Sequence, residues 1–347
     1  MIGRCKDTLP HIKTAVRILL VVAILWFVPS GYVLSMPGSA VDVAPMIVID
    51  GEEDTSGRGV MLTTVFTREA NLAVALFGLV YPRAELRPRT VYLREGEDFD
   101  QYFERTRKMM VESQNVAKYV ALREAGFEAR IEGDGVEVVS VSQTSPSVGK
   151  LAPGDVVIAA GGVETIITDD LLAVVAQYAP GDELDLVFDR EGQTHEMTVV
   201  LMPADDDPQR ALIGIGVVTS NPRYVFPRDI DIDAGAIGGP SAGLAFTLEL
   251  IDRLRPDDPL PADVRVACTG TVNARAEVGS VGGVPLKVWA AQRAGADLFL
   301  VPRANYQDAL DVGANIKIVP VDTVEDAVNA VRDHSVEGAG VALGRVA

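Results

Sequence analysis

Residues 18–34 contain no charged side chain and are almost wholly apolar, and Arg4, Lys6, Lys13 and Arg17 precede them. The run reaches the lower limit of the ~17–25 residues that cross a bilayer as a helix. The basic flank puts the N-terminus on the cytoplasmic side. A buried core helix would be a weaker explanation, because the run is apolar on all faces. A cleaved signal peptide is the closer rival. Gly38, Ser39 and Ala40 supply small residues for cleavage, but the run exceeds the ~7–15 residues of a signal core. The expectation is a single-pass chain at the cell membrane. Residues 1–36 would form a cytoplasmic N-terminus and transmembrane helix, with an extracytoplasmic body beyond.

That body has the composition of a folded protein, with 48% hydrophobic residues. A net charge of −18 argues against a nucleic-acid partner. The two cysteines, Cys5 and Cys268, flank the apolar run on opposite sides and form no disulfide framework. Short apolar runs at 46–50, 59–66 and 90–93 read as strands. Residues 98–125 read as a helix, acidic at the start and stopped by Gly126. Residues 212–218 and 224–232 read as strands, 323–331 as a helix, and 336–347 as a flexible Gly- and Ala-rich tail.

The stretch Gly238-Gly239-Pro240-Ser241-Ala242-Gly243 concentrates the candidate chemistry. It holds a serine at a turn, and 241–254 then read as a helix with Leu244, Leu248, Ile251 and Leu254 on one face. Free backbone N–H groups and the helix dipole at such a turn suit an oxyanion, with Gly239, Pro240 and Ala242 as its surroundings. A plain helix cap is the bland alternative. A nucleophilic serine needs a base. The histidines, His11, His195 and His334, stand in no motif. Lys287 opens an apolar helix after Gly282-Gly283, a setting that disfavours its ammonium form and suits it as the base. A lone lysine of this kind would otherwise read as a snorkelling surface residue.

Gly239-Pro240-Ser241-Ala242-Gly243, Thr269-Gly270, Gly282-Gly283 with Lys287, Leu298-Phe299-Leu300-Val301-Pro302 with Asn305, and Ile318-Val319-Pro320-Val321 resemble, in order and spacing, the proteolytic domain of the Lon protease family. The resemblance covers about 235–332. It implies a Ser241–Lys287 dyad, oriented by Thr269, and assembly into a ring, a hexamer. Gly238 stands where many relatives have an acidic residue, and Thr271 where Glu is usual. Residues 110–117 resemble the helix preceding the catalytic strands, and 59–65 an early strand of the same domain. No Gly-x-x-x-x-Gly-Lys-Ser/Thr loop occurs, so no ATPase is expected, and the acyl transfer that the resemblance implies needs no metal or other cofactor.

Residues 127–203 resemble a PDZ domain. Strands are expected at 135–141, 184–188 and 197–201, a turn and short helix at 145–151, the Leu151-Ala152-Pro153-Gly154-Asp155 run, and a main helix over 169–177. Such a fold binds peptide termini by strand addition. Gly133-Asp134-Gly135 is the candidate carboxylate loop.

The expected fold class is α+β, with a transmembrane helix and a PDZ-like β-rich domain inserted in or preceding a Lon-type α/β domain of the ribosomal S5 domain 2-like type. Residues 37–126 would be its first part, 127–203 the PDZ domain and 204–335 the proteolytic domain. The implied function is ATP-independent endoproteolysis of unfolded or flexible extracytoplasmic polypeptides. The alternatives are a non-catalytic PDZ scaffold and an amidase or peptidase of small substrates.

Overall fold

In a computed structural model, residues 17, 19–20, 22–54, 59–204, 207–255, 260–261 and 264–344 are described. The chain divides into two compact units, Met1–Ala121 with Arg228–Ala347, and Leu122–Pro227. The first half of unit one supplies β1 (Pro29–Asp42), β2 (Ile47–Ile49), β3 (Met61–Asn71), α1 (Leu72–Val80), β4 (Glu85–Pro88) and α2 (Phe99–Glu124). Unit two supplies β5 (Val136–Val141), β6 (Val156–Ala160), α3 (Thr168–Val175), β7 (Glu183–Arg190), β8 (Gln193–Val200) and β9 (Ile215–Thr219). The chain returns through β10 (Ile230–Ile232), α4 (Gly243–Leu254), β11 (Val266–Cys268), α5 (Val284–Ala294), β12 (Leu298–Pro302), β13 (Lys317–Val321) and α6 (Val324–Gly344).

The apolar N-terminal run is not one helix. The described residues of 17–27 are helical, but strand begins at Pro29. Proline removes a helical donor, and Gly31 takes φ +75°, so the helix cannot continue through this stretch. Val33 and Leu34, read from sequence as the end of a membrane span, are instead fully buried core of β1. Among the described residues no helix is long and apolar enough to cross a membrane.

Unit one is built on a mixed sheet in the order β13-β12-β11-β3-β1-β4. β13, β12, β11 and β3 run parallel, while β3, β1 and β4 run antiparallel. Leu298, Phe299, Leu300 and Val301 are all completely buried. A continuous apolar run of this kind marks a strand covered on both faces. Val284, Val288 and Ala291 of α5 pack on Ala267, Phe299 and Val301. Leu298 and Leu300 point the other way by alternation and are equally buried. α4 is buried beyond the face that its leucine spacing marks. Every residue from Gly243 to Ile251 is buried, because the helix runs through the interior. β1 changes register between Pro37 and Ala40. A Cβ on Gly38 would lie 2.5 Å from the Thr64 carbonyl oxygen, so only glycine fits this bulge.

α2 starts with a reciprocal cap. Asp98 accepts from the Gln101 amide at 2.8 Å, and the Gln101 side chain accepts from the Asp98 amide at 3.0 Å. Residues 90–93, expected as a strand, form a 3-10 turn, Arg89–Val91, and its exit.

Unit two holds a six-stranded antiparallel sheet, with β8-β7-β6-β5-β9 in order, the short strand Val163–Glu164 paired to β6, and α3 against its core. Residues 145–151 are turns and not a short helix. Residues 212–218 and 224–232, expected as strands leading to Ser241, largely belong elsewhere. β9 pairs with β5, and Arg223–Val225 pairs with Arg130–Glu132, all within unit two. Only β10 returns to unit one, where it pairs with β2. The carboxylate-loop candidate at 133–135 is also corrected. The Asp134 amide donates to Ser220 and the Gly135 amide to Ile166, so neither is free for a ligand.

Candidate active site

Ser241 lies in a single 3-10 turn, Pro240–Ala242, that runs straight into α4. Gly239 enters the turn at φ +92°, a conformation that L side chains rarely adopt. The turn is held from two sides. On one side, α2 contributes the Thr106 carbonyl, which accepts the Gly239 N–H at 2.8 Å, and the Ser113 hydroxyl, which donates to the Pro240 carbonyl at 3.0 Å. On the other, the Gly270 amide donates to the Ser241 carbonyl at 3.0 Å and the Leu244 amide to Gly270 at 3.2 Å. Gly243 is squeezed between these supports. A Cβ there would meet Ser113 Oγ at 2.8 Å and the Val272 amide nitrogen at 3.2 Å.

One of the three oxyanion candidates is therefore corrected. The Gly239 amide is occupied by Thr106, and Pro240 has no N–H to offer. Ala242, buried at the start of the helix, remains. The sequence did not reveal Thr106 and Ser113 as supports, since an exposed-looking helix gives no sign of what it touches more than a hundred residues later. The departure at Gly238 has a local reason. A Cβ there would stand 2.8 Å from Thr106 Oγ1, so the larger residue would push against α2.

Lys287 sits in the first turn of α5, after Gly283 in the left-handed region at φ +69°. It is 4% exposed. Its Nζ donates to Thr269 Oγ1 at 3.0 Å, and Thr269 Oγ1 donates to the Ser241 carbonyl at 3.3 Å. Burial lowers the lysine pKa from 10.5 to about 8. Cys268, adjacent to Thr269, is a free, fully buried thiol whose pKa burial raises. Asn305 accepts from the Val281 amide at 2.8 Å and so fixes the loop that leads to Lys287.

Ser241 and Lys287 line one cavity of about 960 Å³. Its walls include residues 63–67 of β3, Glu85 and Arg87 of β4, and Tyr102 and Phe103 of α2. β11 pairs with β3 only at Met61 and Leu62, so beyond that point this edge of β3 has no strand partner among the described residues. Neither described histidine belongs here. His195 stacks on Phe188 in unit two, and His334 lies in a small pocket with Asp297 and Lys317. His11 and Cys5 fall outside the described residues.

Residues 226–333 match the Lon protease (S16) C-terminal proteolytic domain, and residues 112–201 match the PDZ domain. The chain carries a Lon-type proteolytic domain. Domains of this type are serine peptidases. The Lon protease of Xanthomonas oryzae pv. oryzae is 38% identical over 95 residues, 26% of this chain and 11% of that protein. The Lon protease of Haemophilus influenzae is 34% identical over 150 residues, 41% of this chain and 17% of that protein. This chain thus matches only a small part of the length of either relative. The PDZ domain of the SdrC-like protein from Listeria monocytogenes aligns at TM-score 0.23 and 22% identity, covering 24% of this chain and 88% of that one.

Proposed function

We propose that this chain is a membrane-anchored serine endopeptidase that cleaves flexible or unfolded polypeptides outside the cytoplasm without ATP. The observation that carries the reading is the buried Lys287 amine. It shares a cavity with Ser241, and Thr269 holds it and bonds the Ser241 backbone as well. An ammonium in this setting is disfavoured, so a neutral amine is available near neutral pH to accept the Ser241 Oγ proton. The serine then attacks a peptide carbonyl. The oxyanion falls to amides at the start of the helix, Ala242 among them. The lysine returns the proton to the leaving amine, and water releases the acyl group from Ser241.

The unpaired edge of β3 at 63–67 favours an extended polypeptide as substrate, because such a chain can add to it as a strand. In unit two, β9 is an edge strand, and α3 adjoins it through the Thr168 amide, which donates to Thr219 Oγ1 at 3.0 Å. We assign peptide-terminus binding to that edge. The anchor reading rests on the basic-then-apolar order of residues 4–28. ATP independence rests on the lack of a phosphate-binding loop in these 347 residues. The ring assembly rests on the Lon resemblance.

The test is cleavage of casein by the full chain in mild detergent, without nucleotide, beside Ser241→Ala and Lys287→Ala. Activity in the parent that both variants lose supports the dyad. Equal cleavage by Ser241→Ala rejects it. A chain shortened to residue 41 is unsuitable, since it would lose nearly all of β1.

A further inference from the structure

The nine residues of α1, Leu72–Val80, include no polar side chain. A helix between a protein core and water ordinarily carries polar residues outward. Here Leu79 and Val80 are 72% and 77% exposed, and Leu76 and Phe77 are exposed beside them. The helix is nonetheless firmly seated. Asn71 caps it by accepting from the Val74 amide at 2.9 Å. Its inner face packs on the sheet, where a Cβ on Gly78 would touch Leu34 at 2.7 Å.

This apolar face joins a second one. Trp26 and Phe27, at the end of the N-terminal run, are 63% and 80% exposed. Asn71 Nδ2 donates to the Trp26 carbonyl at 2.9 Å, and the Leu72 amide donates to the Val28 carbonyl at 3.1 Å. Beyond α1 the chain turns basic. Residues 81–94 hold four arginines and one glutamate in a chain whose net charge is −18, and of these Arg87 pairs with Glu85, Arg89 with Glu69, and Arg83 lies over the Trp289 ring. Tyr81 stands at the boundary, stacked on Phe77. An apolar surface bordered by tyrosine, tryptophan and arginine matches the chemistry of a bilayer interface.

We propose that α1 is a second membrane contact. It lies in the surface of the bilayer that the N-terminal run enters, with Leu76, Leu79 and Val80 among the acyl chains and Tyr81 at the level of the head groups. At 1.5 Å per residue α1 is about 14 Å long, too short to cross a core of about 30 Å, so it lies in the interface. Continuity with the N-terminal run favours lipid over a second copy of the chain. The inference rests on the membrane-anchored reading.

The test uses the full chain in phosphatidylethanolamine–phosphatidylglycerol vesicles, in a Cys5→Ser background that leaves only the buried Cys268. An environment-sensitive fluorophore is placed on Leu79→Cys, Leu20→Cys or Val163→Cys, and casein cleavage confirms that each labelled chain is folded. The Leu79 and Leu20 probes should emit to the blue and be quenched by nitroxide-bearing lipid, while the Val163 probe is quenched by aqueous iodide. A lipid-quenched Leu20 probe with an iodide-quenched Leu79 probe overturns the inference and leaves the anchor standing. Iodide quenching at both positions overturns the anchor as well. A Leu79 probe shielded from both quenchers identifies a protein neighbour on α1 and also overturns the inference.

Discussion

Replacing Lys287 with methionine should abolish proteolysis and make the protein more stable. The lysine is 4% exposed, and burial lowers its pKa from 10.5 to about 8. At pH 7 roughly one-tenth of the amine is then neutral, about 300-fold more than in an unperturbed lysine. The same shift sets the stability term. The folded pKa lies below the unfolded one, so between about pH 8 and 10.5 the unfolded chain binds more protons and stability rises with pH. Below pH 8 the full penalty applies, about 3 kcal/mol as an upper bound. Methionine fills similar volume and has no proton to lose, so Lys287→Met should gain about 1–3 kcal/mol at pH 7. The gain should shrink as pH approaches 10.5. Urea unfolding followed by Trp289 fluorescence in a Trp26→Phe background measures it at pH 7, 8.5 and 10. Equal or lower stability of the methionine variant at pH 7, or a gain that does not shrink, would refute the argument. In the parent, kcat/KM should climb with pH to a plateau above about pH 8, and an inflection near the ordinary histidine value would point to another base.

Thr269→Val should lower kcat about 10–100-fold and move the pH profile to lower pH, because the lost acceptor stabilised the ammonium form, while Thr269→Ser restores both. Glu249 is buried in α4 with one carboxylate oxygen bonded by the Val60 amide and the other without a partner among the described residues, and burial raises its pKa to about 7. Its folded pKa exceeds the unfolded value of 4.5, so its stability contribution is lost as pH rises through 7. Glu249→Gln should therefore gain up to about 3 kcal/mol at pH 8 and nothing near pH 4.5, read by urea unfolding. Asp155, buried in unit two, accepts two hydrogen bonds from Arg190, each at 2.6 Å. Asp155→Ala should destabilise that unit by about 2–3 kcal/mol, discounted because Arg190 is partly exposed, and should lower amide-exchange protection across residues 136–200.

What could be read directly was local. The Gly-Pro-Ser turn and its helix, the Gly-Gly entry to Lys287 and the apolar run at 298–301 each announce their backbone in a few consecutive residues. The alternating strands of unit two and the Asp98 cap of α2 do so too. What escaped was non-local or conflicted with a stronger local signal. The uncharged run through Leu34 has the composition of a single membrane span, yet Pro29 and Gly31 end the helix, and Val33 and Leu34 are claimed by the core. Residues 215–219 and 223–225 read as strands wherever they pair. Only the register with 136–141 and 130–132 assigns them to unit two.

The active-site turn shows why composition alone could not rank its donors. Gly239 stands among the oxyanion candidates because backbone N–H groups at the start of a helix are free of helical partners. Its amide is instead taken by Thr106, one of two contacts through which α2 fixes the turn. The positive φ at Gly239 and the absence of space for a Cβ at Gly238 and Gly243 follow from that clamp. Three glycines that look interchangeable in sequence thus answer to different demands: a close approach to α2, a backbone angle, and packing against Ser113. Substituting alanine at Gly239 strains φ, whereas alanine at Gly243 must displace Ser113 and with it the bond to Pro240.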